Sequence, residues 1–97
     1  ETPEQAAQRE LGEEAGYSAA HLELISTYYT SKSVCNEIAY LYVGDSLTQN
    51  KLPEDDTEFL EIATFPFDEV LRMVRRSEVR DSMTVIAVLE VALRRLS

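Results

Sequence analysis

At 97 residues and 11.0 kDa the chain has room for one small domain, which excludes a large multidomain enzyme. Its 44% hydrophobic and 28% charged residues are ordinary globular composition, and three Gly and three Pro make no low-complexity linker, so disorder along the whole chain is disfavoured. A net charge of −9 argues against general binding to nucleic acid or to an anionic membrane.

The charge is uneven: residues 1–69 carry 15 acidic and 3 basic side chains, residues 70–97 carry 3 acidic and 6 basic. Such an acidic portion is either solvated surface or a place to hold divalent cations. No apolar run approaches the roughly 20 residues that span a bilayer. The start at Glu1 carries no readable secretory signal, and a lone Cys35 makes no internal disulfide, which fits a reducing, cytoplasmic setting.

The first predicted element is a helix over about residues 3–15. Thr2, Pro3 and Gln5 form a capping-box arrangement, and Gly16 supplies a left-handed stop. Ala7, Leu11 and Ala15 recur every four residues as a narrow apolar stripe of the kind that packs on a sheet. Residues 22–29 and 37–43 are rich in β-branched and aromatic side chains and read as strands, joined by the polar residues 30–36. A turn-rich segment over 44–57 leads to a third strand at 59–65. A short amphipathic helix follows at 67–76, with Val70, Leu71 and Val74 inward. A last helix, capped by Asp81 or Ser82, runs to about Leu96 with one broad buried face that includes Val85, Ile86, Leu89 and Leu93. The order helix, strands, helix, helix is a mixed α/β pattern.

On the first helix, at about 100° per residue, Glu10, Glu13 and Glu14 fall within about one third of the circumference. Like charges at i, i+3 and i+4 repel, so their clustering asks for a compensating cation, and hard oxygen donors suit Mg²⁺ or Mn²⁺. The plainer reading is a solvated acidic helix face, with Arg9 neutralising Glu13 four residues on.

The string Glu1, seven residues, then Arg9-Glu10-Leu11-Gly12-Glu13-Glu14-Ala15-Gly16-Tyr17 resembles the signature box of the Nudix hydrolases. Every constrained position from the first Glu onward is matched. The resemblance implies an α/β/α sandwich, of which residues 1–97 would be the C-terminal portion. It also implies metal-dependent hydrolysis of a nucleoside diphosphate linked to another moiety. Carried over by position, Glu10, Glu13 and Glu14 are the expected metal ligands and Glu10 also a candidate base. Arg9 is expected to orient these carboxylates through charge-assisted hydrogen bonds, with Glu1 as its partner. An anionic pyrophosphate approaches such an acidic face only once metal has reversed the local charge.

Residues 28–37 and the C-terminal half look like ADP-ribose pyrophosphatases and related nucleoside diphosphate sugar hydrolases. Ser31 and Glu37 match that group, whereas Lys32 and Ser33 stand where it commonly carries Pro and Gly. Glu58, with Asp55 and Asp56 as alternatives, is the expected acidic-loop residue that completes the metal and water site; residues 53–58 can equally be a solvated turn.

The expected substrate is thus a nucleoside diphosphate sugar, with neither nucleic acid nor membrane as partner; the alternative is a non-catalytic Nudix-like binding or regulatory module. An uncovered sheet edge would expose unpaired backbone groups, which predicts a homodimer or association with a preceding N-terminal portion. His21 reads as surface or structural, Cys35 as a non-catalytic thiol, and Lys32 as a candidate phosphate contact. Tyr28 and Tyr29 fall on opposite faces of a strand, one to pack and the other free to stack. Arg72, Arg75, Arg76 and Arg80 read either as an exposed helix face or as a phosphate-binding patch.

Overall fold

The computed structural model describes residues 1–31, 37–50 and 62–96. Its elements run α1 (Pro3–Ala15), β1 (Tyr17–Tyr29), β2 (Ile38–Gln49), α2 (Phe67–Arg75) and α3 (Ser82–Arg95). The two strands pair as one sheet. Bonds from Asn50 N–H to the Gly16 carbonyl (2.6 Å) and from Thr30 N–H to the Glu37 carbonyl (3.0 Å) close its two ends in antiparallel register. The chain divides into two compact units, one of Glu1–Glu23 with Tyr42–Ala63, the other of Leu24–Leu41 with Thr64–Ser97. The mixture of helices with an antiparallel sheet is the α/β class that the element order predicts.

In the first unit α1 begins and ends as its residues dictate. The Thr2 hydroxyl accepts from Gln5 N–H at 3.1 Å while Thr2 N–H donates to Gln5 Oε1 at 2.8 Å, so two amides left over at a helix start are both paired. Gly16 then holds φ 74° and ψ 29°, a left-handed conformation in which a Cβ is strained, and its N–H returns to the Gly12 carbonyl.

The helix is docked to β1 by a side chain that mimics a strand. Gln8 Nε2 donates to the Ala19 carbonyl at 2.9 Å, and Ala19 N–H donates to Gln8 Oε1 at 2.8 Å, which satisfies both backbone groups of a buried residue. Opposite it, Gly44 lets β2 come close: a Cβ there would meet Ala19 Cβ and Leu22 Cδ2, each at 3.1 Å.

In the second unit the buried residues are Ile25, Ala39, Leu41 and Val74, with Ala39 and Leu41 alternating against exposed Ile38 and Tyr40. Helices α2 and α3 pack together. The Arg95 guanidinium lies 4.0 Å from the centre of the Phe67 ring, and Arg94 Nη2 donates to the Ile25 carbonyl at 3.3 Å. Helix α2 ends in a Schellman turn: Ser77 sits in the left-handed region (φ 62°), its N–H reaches the Val74 carbonyl at 3.1 Å, and Glu78 N–H reaches the Met73 carbonyl at 2.9 Å. Asp81 caps α3, accepting from the Thr84 hydroxyl (2.8 Å) and the Thr84 amide (3.0 Å), and these bonds hold its carboxyl below the usual carboxylate range.

Three expectations need correction. Both strands are longer than their β-rich cores, because residues 17–21 and the turn-rich residues 44–49 are recruited by cross-strand pairing. Of the third strand expected at 59–65, residues 62–65 carry neither helix nor strand, and 59–61 lie outside the described residues. The apolar face of α3 is only partly covered: Val85, Ile86 and Ala92 are half-buried, but Leu89, Leu93 and Leu96 are exposed. Helical spacing shows that a face is apolar and not what lies against it.

The Gln8 dock is directly testable. Gln8→Ala leaves the amide and carbonyl of buried Ala19 unpaired and is expected to lower stability by about 1–3 kcal/mol, read as a lower urea midpoint with an unchanged m-value.

Candidate active site

The three carboxylates expected as metal ligands, Glu10, Glu13 and Glu14, are all carried by α1. Glu10, Glu13 and Glu14 are exposed, one helical turn or less apart. Glu13 and Glu14 lie in the last turn, which contains no basic residue. This is an unfavourable place for negative charge: the unpaired carbonyls of a helix C-terminus are themselves the negative pole of its dipole, and carboxylates at i and i+4 repel. Departures of this kind from a helix's own electrostatic preference concentrate at functional or strained sites.

Arg9 carries most of the compensation. Its Nε and Nη2 grip the Glu1 carboxylate at 2.9 and 3.0 Å as a two-pronged fork, and Nη1 reaches Glu13 Oε2 at 3.2 Å. Glu1 is thereby held below the ordinary carboxylate range, chiefly by its hydrogen bond from Arg9, and the Arg9 guanidinium is held more firmly protonated, chiefly by its bond to Glu1. The partnership expected between Arg9 and Glu1, and the orienting contact from Arg9 to Glu13, are both present.

Glu10 and Glu14 make no hydrogen bond or ion pair among the described residues. Glu13 keeps one carboxylate oxygen free of Arg9. That donor set, hard anionic oxygens on flexible, solvent-exposed stems, fits Mg²⁺ or Mn²⁺ in kind. Among the described residues no three His, Cys, Asp or Glu side chains are already drawn together as a metal cluster. Glu58, Asp55 and Asp56, expected to complete the site, lie outside the described residues, as do Lys32, Ser33 and Cys35.

Of the other residues, Ser31 is half-buried and Glu37 is exposed. The Glu37 carbonyl accepts from the Thr30 hydroxyl and amide at the hairpin end. Tyr28 is half-buried and Tyr29 exposed, as opposite strand faces require. His21 is on the surface but not alone, since its Nδ1 lies 2.9 Å from Asp45 Oδ1 across the hairpin. A separation of 24 residues hid that partner; only the strand register brings the two together. Gln8, which seats the carboxylate helix, is equally hidden in the sequence because its role depends on where β1 runs.

The family model of the NUDIX domain matches residues 1–84, and the chain belongs to that family. It is 36% identical over 90 residues to the ADP-ribose pyrophosphatase of Bacillus subtilis (strain 168), a match covering 91% of this chain and 49% of the relative. It is 37% identical over 90 residues to the methanol dehydrogenase activator of Bacillus methanolicus, with the same two coverages. It is 30% identical over 95 residues to the GDP-mannose pyrophosphatase of Cronobacter sakazakii (strain ATCC BAA-894), covering 95% of this chain and 50% of the relative. The chain thus spans about half the length of the curated relatives it matches.

The Arg9 fork makes a pH prediction. A lowered Glu1 pKa means that the pair adds stability above the ordinary carboxylate range and loses it as pH falls through the lowered native value. Replacing Arg9 by Ala should return the Glu1 carboxyl to the ordinary range in an NMR titration and erase that part of the acid sensitivity. A Glu1 titration unmoved by the substitution would contradict the assignment.

Proposed function

We propose that the protein carrying this chain hydrolyses the pyrophosphate bond of ADP-ribose or another nucleoside diphosphate sugar, releasing a nucleoside monophosphate and a sugar phosphate, with Mg²⁺ or Mn²⁺ bound at Glu10, Glu13 and Glu14. The observation that carries the reading is the Arg9 fork between Glu1 and Glu13 beside two uncommitted carboxylates. Names of two relatives, ADP-ribose pyrophosphatase and GDP-mannose pyrophosphatase, support the substrate class. The third name, methanol dehydrogenase activator, does not favour a purely non-catalytic module.

Each residue has a physical task in this reading. Arg9 fixes the rotamer of Glu13 and neutralises part of its charge, so that less ordering entropy is lost when a cation is gripped. Glu10, with no competing partner among the described residues, is free to accept a proton from an attacking water at its carboxylate. Glu14 adds a further negative oxygen donor from the end of the helix. A divalent ion, when bound, supplies charge neutralisation of the pyrophosphate and acidification of water. Gly16 and the Gln8–Ala19 ladder set the helix end against the strand, which fixes where these groups are presented.

Glu13→Gln and Glu10→Gln in the full-length protein are each expected to lower kcat for ADP-ribose or GDP-mannose hydrolysis at least about 100-fold. Glu14→Gln should raise metal-free stability by about 0.3–0.5 kcal/mol, through relief of repulsion, while weakening metal binding. Phosphate release after phosphatase coupling, measured across Mg²⁺ and Mn²⁺ concentrations, checks the first; metal-free and metal-loaded melts check the second. Turnover that ignores metal, or survives both substitutions, would refute the assignment.

A further inference from the structure

The second unit carries a cationic feature that this chemistry does not use. Most of the arginines are engaged: Arg9 with Glu1 and Glu13, Arg80 with the Ser77 carbonyl, Arg94 with Glu90 and the Ile25 carbonyl, and Arg95 with the Phe67 ring. Arg72, Arg75 and Arg76 are different. They are exposed, stand at i, i+3 and i+4 over the last turn of α2 and its C-cap Arg76, and have no side-chain hydrogen bond or ion pair among the described residues. In a chain of net charge −9, three guanidiniums with no carboxylate partner among the described residues are conspicuous.

The position near the helix C-terminus favours cations, which accounts for basic residues there. It does not account for their sharing a recess. Arg72, Arg75 and Arg76 line one hollow of about 290 Å³. Arg72 and Arg76 also line a second, of about 420 Å³, with Phe65, Glu69, Met73 and Glu78. Phe65 is 50% exposed and offers an aromatic face, Met73 offers an adaptable apolar contact, and Glu69 and Glu78 offer acceptors without pairing to the arginines. The Schellman turn at Ser77 is what sends the chain back so that Glu78 follows Met73 closely.

From this combination we infer that the Arg72, Arg75 and Arg76 face of α2, with its Phe65-containing recess, is a second binding site that takes a nucleoside monophosphate. Guanidinium forks match the phosphate, the aromatic and thioether surfaces match a base, and the two carboxylates match its N–H or ribose O–H donors. The larger hollow is open to solvent, lined by half-buried Met73 and five exposed side chains. The site lies wholly within the second unit and uses none of the α1 carboxylates, so it stands or fails independently of the proposed hydrolysis.

The test is an NMR titration of the full-length protein, followed on arginine Nε–Hε resonances. AMP, adenosine and inorganic phosphate are the probes, in a chelator that keeps metal from the α1 carboxylates. Saturable shifts of Arg72, Arg75 and Arg76 are expected with AMP, at an affinity at least about tenfold above either phosphate or adenosine alone. The double variant Arg75→Gln with Arg76→Gln should lose at least about tenfold in affinity while keeping its melting temperature, since both side chains are exposed; Glu13→Gln should bind as wild type. Arg76→Lys, which keeps the charge but not the fork, should fall between. No saturation, equal affinity for phosphate and AMP, or undiminished binding by the double variant would each overturn the inference.

Discussion

A helix that ends in carboxylates works against its own electrostatics, and the Arg9 fork offsets part of that charge. Glu13 and Glu14 sit where the helix dipole is negative, with Glu10 one turn behind. Arg9 answers this with one guanidinium shared between Glu1 and Glu13, a geometry that only a planar five-donor group supplies. The neighbouring residue in sequence, Gln8, points its amide at Ala19 and holds the same helix to β1. Two adjacent side chains therefore divide the work: one balances charge on the exposed side and the other satisfies buried backbone on the inner side. Because neighbours on a helix are about 100° apart, both tasks fit without competition.

The consequence for function follows from what Arg9 leaves undone. One cation cannot neutralise three carboxylates, and Glu10 and Glu14 remain without protein partners among the described residues. Carboxylate oxygens left in this way are open to water or to a cation, and the chain belongs to the NUDIX domain family. In the second unit Arg72, Arg75 and Arg76 are exposed cations with no ion pair among the described residues. The acidic excess of one unit and the arginine-rich helices of the other follow the uneven charge along the chain.

Features set by local chemistry are legible in the amino-acid sequence. The capping box at Thr2, the left-handed Gly16, the Asp81 cap and the Arg9–Glu1 partnership depend on residues at most eight positions apart, and they stand where expected. Features set by pairing are not. Residues 44–49 look like a turn and are half of β2, because a strand opposite offers ladder bonds that outweigh weak intrinsic preference. His21 meets Asp45 by register alone. Leu89 and Leu93 follow helical spacing and are exposed, since periodicity describes one helix and burial needs two surfaces.

Sequence by itself determined the helix ends, the run of carboxylates on α1 and the family to which they belong, because each is written in closely spaced residues whose conformations are fixed by short-range sterics and hydrogen bonds. Tertiary structure decided the length of the hairpin, the Gln8 ladder that seats the carboxylate helix, and which arginines are engaged and which share an open recess. Those depend on backbone groups and side chains far apart in the chain, and a hydrogen bond or ion pair has no existence until folding brings its two halves within about 3 Å.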